Sequence, residues 1–374
     1  MNLQNKRWSV LVILVVIVAV IGLVSLNRTT KTGVNIGVIA SLTGPGAYFG
    51  EQFVNGLKIA LNEVNENGGI NGRQVNLIIE DSKTDNTTAL TVAKKLVEVD
   101  GVKVILGDSW NGTTLTIMPY TNQKKVILIS PNSSLDIFTQ DDYMFRLMPR
   151  TAELVKPLAK YVKESGAKTV AFARVTAAFT QEHYDDFKVE FEKLGGKVIA
   201  DEQFTSPGLD VRSELTKIKP KNPDVIFDIH NSGPSIGLLI AQANQVGIKT
   251  KWISTWATEN GALLKQYPKE LEGIVYPFMY SESDSVVSKN FADKVRAGGK
   301  TADFFIASAY DILNITAKTM IGASSSDTTK MKQYLLGIKD YDGASGKFGF
   351  DKNGDVSRTI VIKTVKDGKF VSAQ

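Results

Sequence analysis

The chain has 374 residues, of which 43% are hydrophobic and 22% charged, so it can bury the cores of two domains and is too apolar to be disordered. Its formal net charge of +5 is small for this length and comes from scattered lysines and arginines, which argues against a nucleic-acid partner. The absence of cysteine excludes disulfides, thiolate metal sites and lipid attachment to an N-terminal cysteine.

The first predicted element is a hydrophobic leader. Lys6 and Arg7 precede an uncharged run over 10–26, which is typical of a signal peptide or a membrane anchor and assigns 1–32 to such a segment. A cleavage site prefers small residues, whereas the best candidate begins with Leu23. We expect an uncleaved anchor that holds the rest of the chain outside the cytoplasmic membrane, with cleavage and release as the alternative.

From Gly33 onward, short runs rich in valine and isoleucine alternate with stretches of helical spacing, which is typical of parallel α/β units. In the first half, strands are predicted at 34–40, 75–80, 102–106 and 126–129. After Arg150 the pattern restarts, with strands at 169–173, 197–200, 225–229 and 252–254 separated by helices. The alternation predicts an α/β fold of two lobes of similar size.

The last third adds a strand in GIVYPFMY, helices and two hairpins. Helices are predicted at 286–296, 304–320 and 330–336. Asn353-Gly354 and Asp367-Gly368 are turn signals between β-type runs, which we expect to add strands to the two lobes. The segment FDKNGDV resembles the start of a calcium loop, but it lacks the glycine and the closing glutamate of that motif, so a hairpin turn is the better interpretation.

The loop after the first strand, SLTGPGAYFG, concentrates glycine around two aromatic residues. A phosphate-binding P-loop needs a lysine after its last glycine, but Gly50 is followed by Glu51. A dinucleotide-binding pattern is a closer match, yet Tyr48 and Phe49 occupy the bend where a pyrophosphate must approach the backbone. Aromatic rings at that place favour a small organic ligand.

Two further loops share this composition, GDSWNGTT after the third strand and SPNSSLD after the fourth. Loops at the carboxyl ends of parallel strands line a crevice, and the helix N-termini behind them offer free N–H groups to an anion. Hydroxyls, amides, exposed glycine backbone and single aromatic rings suit a small-molecule site. The three loops together therefore predict a ligand-binding cleft.

Catalytic and metal-binding signals are weak in comparison. His183 and His230 are the only histidines, and no zinc motif contains them. We expect His183 to lie on the surface, while His230, at a strand end, lines the cleft or is a plain strand-end residue. No G-x-S-x-G elbow occurs, so we expect neither an enzyme nor a bound cofactor.

Several motifs together resemble the branched-chain amino-acid binding proteins of the type I periplasmic solute-binding family. They include VNIGVIASLTGPGAYFG, NENGGINGR, VILGDSWNGTT, VILISPNSS, FRLMP and ASAYDILN, and the likeness covers nearly everything from Gly33 to Arg358. The resemblance implies two Rossmann-like lobes joined by three hinge crossings. The lobes would comprise 33–152 with 280–358, and 153–279 with 359–374.

The resemblance also implies which positions contact ligand. In this family, loops after the third and fourth strands hold the ligand carboxylate and aromatic rings form the walls. Carried to matching positions, and completed by neighbouring residues of the same loops, the expected ligand-binding set is Phe49, Trp110, Asn111, Asn132, Ser134, Phe179, Ser232, Trp256 and Phe305.

One position departs from the family pattern. Amino-acid binders place a glutamate after the strand that matches KWIS, where it pairs with the ligand ammonium, and here that position is Trp256. A buried ammonium without a counter-charge is costly. Glu259 or Asp108 are alternative partners, although an aspartate in such a loop also serves as a cap. An amide, a small carboxylate or an aromatic acid fits these residues as well as leucine.

The implied function is that of the extracytoplasmic solute-binding component of an ABC transporter. A monomer would close on its ligand and present the closed state to a membrane permease. The alternative is a ligand-sensing receptor module that signals through a separate partner protein.

Overall fold

Strands and helices alternate along the chain as the hydrophobic pattern predicts. The structure, a computed structural model, describes residues 33–140, 142–204, 210–230, 233–280, 285–324 and 326–373. The predicted leader at 1–32 and the predicted site residue Ser232 lie outside the described residues. Within those ranges, no helix is long and apolar enough to cross a membrane.

The regular elements follow the predicted order. The strands are β1 (Val34–Ala40), β2 (Val75–Asp81), β3 (Val104–Leu106), β4 (Ile127–Ser130), β5 (Met144–Arg146), β6 (Thr169–Val175), β7 (Lys197–Phe204), β8 (Val225–Ile229), β9 (Lys251–Ile253), β10 (Val275–Phe278), β11 (Tyr341–Gly343), β12 (Gly346–Phe350), β13 (Val356–Ser357), β14 (Val361–Lys366) and β15 (Lys369–Ser372). The helices are α1 (Ala47–Glu66), α2 (Asn86–Lys94, continued by a π-helical turn at Lys95–Val99), α3 (Asn111–Gln123), α4 (Thr151–Glu164), α5 (Ala178–Lys193), α6 (Arg212–Ile218), α7 (Gly233–Gln245), α8 (Gly261–Gln266), α9 (Val286–Ala297), α10 (Phe304–Gly322) and α11 (Thr328–Leu336). The three-residue strands β5 and β11 are the ones that the pattern missed.

The first sheet is parallel and has the order β2-β1-β3-β4-β5 among the described strands. Val34 pairs with Val75, and Val38 pairs with Leu106. The central strands β1, β3 and β4 are buried on both faces, which explains their continuous apolar sequences. Helices α1 and α10 share one apolar core with this sheet, so the late helices pack on the early strands.

The second sheet has the order β15-β14-β10-β9-β8-β6-β7 in the described part of the chain. Strands β6 to β10 are parallel to their neighbours, whereas β14 runs antiparallel to β10, with Val275 opposite Thr364. Asp367 and Gly368 connect β14 to β15 with positive φ angles of 50° and 65°, as a two-residue hairpin requires. The predicted addition of C-terminal strands to a lobe is confirmed for this hairpin.

The other predicted hairpin forms a small sheet of its own, β11-β12-β13, instead of extending a lobe. Phe350 packs edge to face on Phe145 of the first sheet, with ring centroids 5.2 Å apart. Arg146 Nε lies 2.7 Å from Asp355 Oδ1 in a buried ion pair. This ion pair holds the turn of the hairpin against β5. The antiparallel pairing of β12 with β13 confirms the interpretation of FDKNGDV as a hairpin turn.

The chain crosses between the two large sheets three times. It passes from β5 to the second sheet through α4, returns after β10 to α9, α10 and α11, and enters the second sheet again at β14. This is the predicted α/β architecture. The carboxyl ends of the parallel strands in both sheets meet at a common cleft, where ligands bind in open α/β folds.

Candidate ligand-binding site

A cavity of about 190 Å³ lies between the loops that leave the two sheets. Loops after β1, β3 and β4 form one wall, and loops after β6, β8 and β9 form the other. The described residues that line it are Phe49, Trp110, Asn111, Gly112, Leu115, Asn132 and Leu135 on the first wall, and Ala177, Ala178, Phe179, His230, Trp256 and Ala257 on the second. A mostly apolar lining with a few polar groups is the composition of a small-molecule site.

Aromatic rings join the two walls. The Phe49 ring lies 6.4 Å from that of Trp110 on its own wall and 5.9 Å from that of Trp256 on the opposite wall. Phe179 contacts Trp256 at 6.2 Å. Phe305 is not among the lining residues, but it packs behind the cavity at 5.0 Å from Phe49 and 5.7 Å from Trp256. These tilted and edge-to-face contacts hold the rings in place around the ligand space.

The glycines before Phe49 shape the backbone. Gly44 has a φ of 81°, in the left-handed region that a side chain strains. A Cβ atom on Gly50 would lie 2.1 Å from the carbonyl oxygen of Ser41, so only glycine lets α1 begin this close to the preceding loop. The glycine pattern thus serves close packing and positions Phe49 at the cavity, which supports the organic-ligand interpretation of this loop.

Neutral amides provide the polar groups of the first wall. Asn132 Nδ2 donates to the carbonyl oxygen of Ser109 at 3.1 Å, and its Oδ1 is buried with no hydrogen-bond partner among the described residues. Asn111 Oδ1 accepts from the backbone N–H of Ser134 at 3.2 Å. Ser134 itself does not line the cavity, so its predicted role in ligand contact reduces here to orienting Asn111 through its backbone.

Asp108 lies beneath the first wall and does not line the cavity. Its Oδ1 accepts from Ser41 Oγ at 3.1 Å and from the backbone N–H of Ser109. Burial raises the pKa of this carboxyl group, although hydrogen bonds from neighbouring hydroxyl groups and from the Ser109 backbone N–H act in the opposite direction. Of the two interpretations open for Asp108, the geometry favours the loop-capping one.

Trp256 begins the short turn that follows β9 and is 4% exposed. Its ring lines the cavity, and its Nε1–H has no acceptor within the described part of the chain. Glu259, the other alternative for an ammonium, lies elsewhere: Tyr276 Oη donates to its Oε2 at 2.6 Å and Lys363 forms an ion pair with it. The described lining of the second wall therefore contains no carboxylate.

His230 follows β8 and is the one ionisable residue among the described residues that line the cavity. Its Nδ1 hydrogen-bonds to Oδ1 of the buried Asp228, and its ring lies 5.0 Å from that of Phe204. Ser254 Oγ donates to the second Asp228 oxygen at 3.3 Å. Of the two placements left open for His230, the structure gives the cleft.

The prediction that His183 lies on the surface is wrong. The residue is 1% exposed, and its Nδ1–H donates to the carbonyl oxygen of Phe179 at 2.9 Å. Burial lowers its pKa to about 4. His183 is four residues after Phe179 on α5, so the two side chains share the face that packs inward. Sequence position at a helix start did not reveal which face that is.

The sequence profile described as periplasmic binding protein matches residues 33–369. The chain belongs to the periplasmic binding protein family. Membership makes it a solute-binding protein and indicates a location outside the cytoplasm or in the periplasm.

Individual relatives of this periplasmic binding protein match it over nearly their whole length. It is similar to an amino acid binding protein of Pseudomonas aeruginosa, with 26% identity over 357 residues covering 93% of this chain and 94% of that protein. Among solved structures it is similar to a leucine binding protein from Thermotoga maritima, with a TM-score of 0.85, 25% identity and coverage of 91% and 98%. A branched-chain amino acid transporter substrate binding protein from Streptococcus pneumoniae, in complex with isoleucine, gives a TM-score of 0.84, 26% identity and coverage of 91% and 99%.

Sequence reasoning placed most of the large side chains at the cavity of this binding protein and missed the small ones. The structure brings together Phe49, Trp110, Asn111, Asn132, Phe179 and Trp256. The lining residues absent from the predicted set are Gly112, Leu115, Leu135, Ala177, Ala178, His230 and Ala257. Alanine and leucine carry no chemical signal in a sequence. Asp228 and His230 do form a recognisable pattern at the end of β8, because alternate residues of a strand lie on the same face and can contact each other.

Proposed function

We propose that this protein is the extracytoplasmic solute-binding component of an ABC transporter and that it binds an amino acid or a related small carboxylate or amide in the cavity. The single observation that carries the proposal is that residues of both sheets line one small aromatic cavity. A ligand there contacts both walls and favours the closed arrangement. Relatives named as amino acid and branched-chain amino acid binding proteins support the ligand class.

The mechanism that we propose is hinge closure of two lobes, 33–152 with 280–358 and 153–279 with 359–374. The walls also touch outside the cavity: the backbone N–H of Asp136, after β4, donates to Glu182 Oε1 on α5 at 3.0 Å. With contacts of this kind at the rim and the ligand between the walls, closure excludes water and gives a shape that a permease recognises.

We propose that the protein acts as a monomer without enzymatic activity, cofactor or nucleic acid, and that it delivers its ligand to a membrane permease. The leader at 1–32 would hold it at the outer face of the membrane as an uncleaved anchor.

A thermal-shift screen of the soluble part from Gly33 tests the ligand class. The panel should contain amino acids, their amides, short carboxylates and aromatic acids. A ligand at a hundred times its dissociation constant adds about 2.7 kcal/mol to the free energy of unfolding, which a melting experiment resolves. Stabilisation by members of this panel, and not by nucleotides or metal ions, is expected. A folded protein that responds to no member of the panel would contradict the proposal.

A further inference from the structure

The second wall of the cavity differs from the first in carrying an ionisable group. His230 is 2% exposed and Asp228 is fully buried, and the carboxylate holds the imidazole through Nδ1. Among the described residues, His230 Nε2 hydrogen-bonds to no protein group while the side chain lines the cavity. An imidazole whose Nδ1–H is given to a carboxylate offers only Nε2 to a ligand.

The helices behind both walls add positive potential. Helix α3 begins at Asn111 and α5 begins at Ala178, and neither has a side-chain N-cap. The N-cap residue Ala177 and the first-turn residues Ala178 and Phe179 all line the cavity. Uncapped N–H groups and the positive end of the helix dipole therefore face the ligand space, which favours an anion.

Trp256 provides an independent observation on the same wall. Its Nε1–H is buried, unpaired within the described residues and part of a side chain that lines the cavity. A buried donor without an acceptor costs free energy, and a ligand oxygen would remove that cost. The described lining contains no aspartate or glutamate that would balance a ligand ammonium.

We propose that the second wall is an oxygen-anion site in which His230 Nε2–H and Trp256 Nε1–H bind the carboxylate of the ligand, and that Asp228 positions His230. The ligand class is then an apolar or aromatic carboxylic acid without an amino group. This inference rests on the proposed function and specifies the ligand of the same site. The imidazole donates from both nitrogens in the complex, so it lies as an imidazolium between two carboxylates. Asn132 Oδ1 on the opposite wall is a neutral acceptor and supplies no counter-charge for an amine.

Calorimetric titration with matched probes tests the inference. The probes are 4-methylpentanoate, its amide and L-leucine, which share one carbon skeleton, together with benzoate and benzamide. For the wild type, at least one acid should bind more than tenfold tighter than its amide, and 4-methylpentanoate should bind more tightly than leucine. In the His230→Gln variant, the affinity for the acid should fall by about 10- to 100-fold, the range for a lost charge-assisted hydrogen bond, while the amide changes little.

Three further variants separate the proposed contacts from general damage. Trp256→Phe keeps an aromatic ring and removes the N–H, and it should weaken binding of the acid by about tenfold, the low end of the range for a hydrogen bond to a charged group. Trp252→Phe, the matched change on β9 outside the cavity lining, and His183→Gln, at the other histidine, should leave the ratio of acid to amide affinity unchanged.

The outcomes distinguish the inference from the proposed function. Leucine binding tighter than both acids, or an unchanged ratio of acid to amide affinity in His230→Gln, overturns the inference and leaves the proposed function standing. Binding of none of these probes and none of the wider panel by a folded wild type overturns both.

Discussion

The two walls of the cavity have a similar architecture but present different chemical groups to the ligand. Each has a fully buried aspartate near the end of a central strand, Asp108 just after β3 and Asp228 within β8. Asp108 Oδ1 accepts from the hydroxyl groups of Ser41 and Ser109 and from the Ser109 backbone N–H, and burial raises the pKa of this carboxyl group. Asp228 instead contacts an imidazole that reaches the cavity.

The hydrogen-bond partner of the buried carboxyl group, and not the carboxyl group itself, decides what a wall can recognise. On the first wall, Asp108 bonds to hydroxyl groups and does not line the cavity, where the neutral amides of Asn111 and Asn132 lie instead. On the second wall, Asp228 acts on the ligand through His230, which lines the cavity. The first wall therefore contributes shape, neutral hydrogen bonds and the N-terminus of α3, and the second wall adds an ionisable side chain.

The largest expected effect comes from placing a carboxylate on the second wall. Trp256→Glu should invert the preference, so that leucine binds more tightly than 4-methylpentanoate. The affinity for 4-methylpentanoate should fall by about 100-fold or more, because two buried carboxylates would then face each other. Calorimetry measures both affinities. Trp256→Gln introduces a neutral side chain of the same size as glutamate. It should lower the affinity for both ligands without reversing their order. An inversion in Trp256→Gln as well would show that charge is not the cause.

Removing the whole Trp256 side chain should weaken the binding of every ligand and that of the acid most. Trp256→Ala should cost about 2 kcal/mol of binding free energy, or about 30-fold in affinity, through lost packing, because Trp256 lines the cavity and contacts rings of both walls. Lost packing does not depend on ligand charge, so the amide should weaken by this factor. The acid should weaken further, because it also loses the hydrogen bond from Nε1–H. A loss confined to the acid would assign Trp256 a purely polar role.

The two aspartates offer a matched pair of conservative variants. Asp228→Asn should weaken 4-methylpentanoate by about tenfold, because the imidazolium loses its charged partner, and should leave the amide nearly unchanged. Asp108→Asn should change either affinity by less than about threefold, since its hydroxyl neighbours can turn to suit an amide. Calorimetry on folded variants checks both. Equal losses in the two variants would contradict the difference between the walls.

The sequence predicts the two sheets and several residues of the cavity. It does not predict which of the neighbouring residues line the cavity and which lie behind it. Hydrophobic periodicity predicted both sheets, and loop composition predicted that Phe49 and Trp110 face a ligand. Ser134 and Phe305 lie behind the wall because a backbone contact and a ring contact hold them there, and no pattern distinguishes such a place from the lining. His230 was left open, since its role depends on pairing with Asp228.

The smallest expected effect concerns the rim where the walls meet. Burial, with repulsion from Asp136 and Asp186, raises the pKa of Glu182 to about 7 from its ordinary value. The folded protein then binds this proton more tightly than the unfolded chain, so stability should rise as pH falls from 8 toward 5. Glu182 is only partly buried, and after solvent screening the effect should be about 1 kcal/mol or less.

Thermal unfolding across this pH range checks the sign. Glu182→Gln should be more stable than the wild type at pH 8, and the difference should vanish near pH 5, where the wild-type side chain is protonated. A difference that does not change with pH would mean that the substitution acts through packing and not through the charge of Glu182.

Nitrogen NMR of the two histidines measures the protonation of His230 in the ligand complex, on which the oxygen-anion site depends. His183 serves as an internal reference, because its Nδ1–H is given to a backbone carbonyl and burial keeps its pKa at about 4. His183→Gln and His230→Gln assign the signals. When 4-methylpentanoate saturates the protein at neutral pH, His230 should carry protons on both ring nitrogens, with a new hydrogen bond at Nε2, while the His183 signals stay unchanged. A His230 with a single ring proton, or with the same spectrum before and after saturation, would contradict the oxygen-anion site.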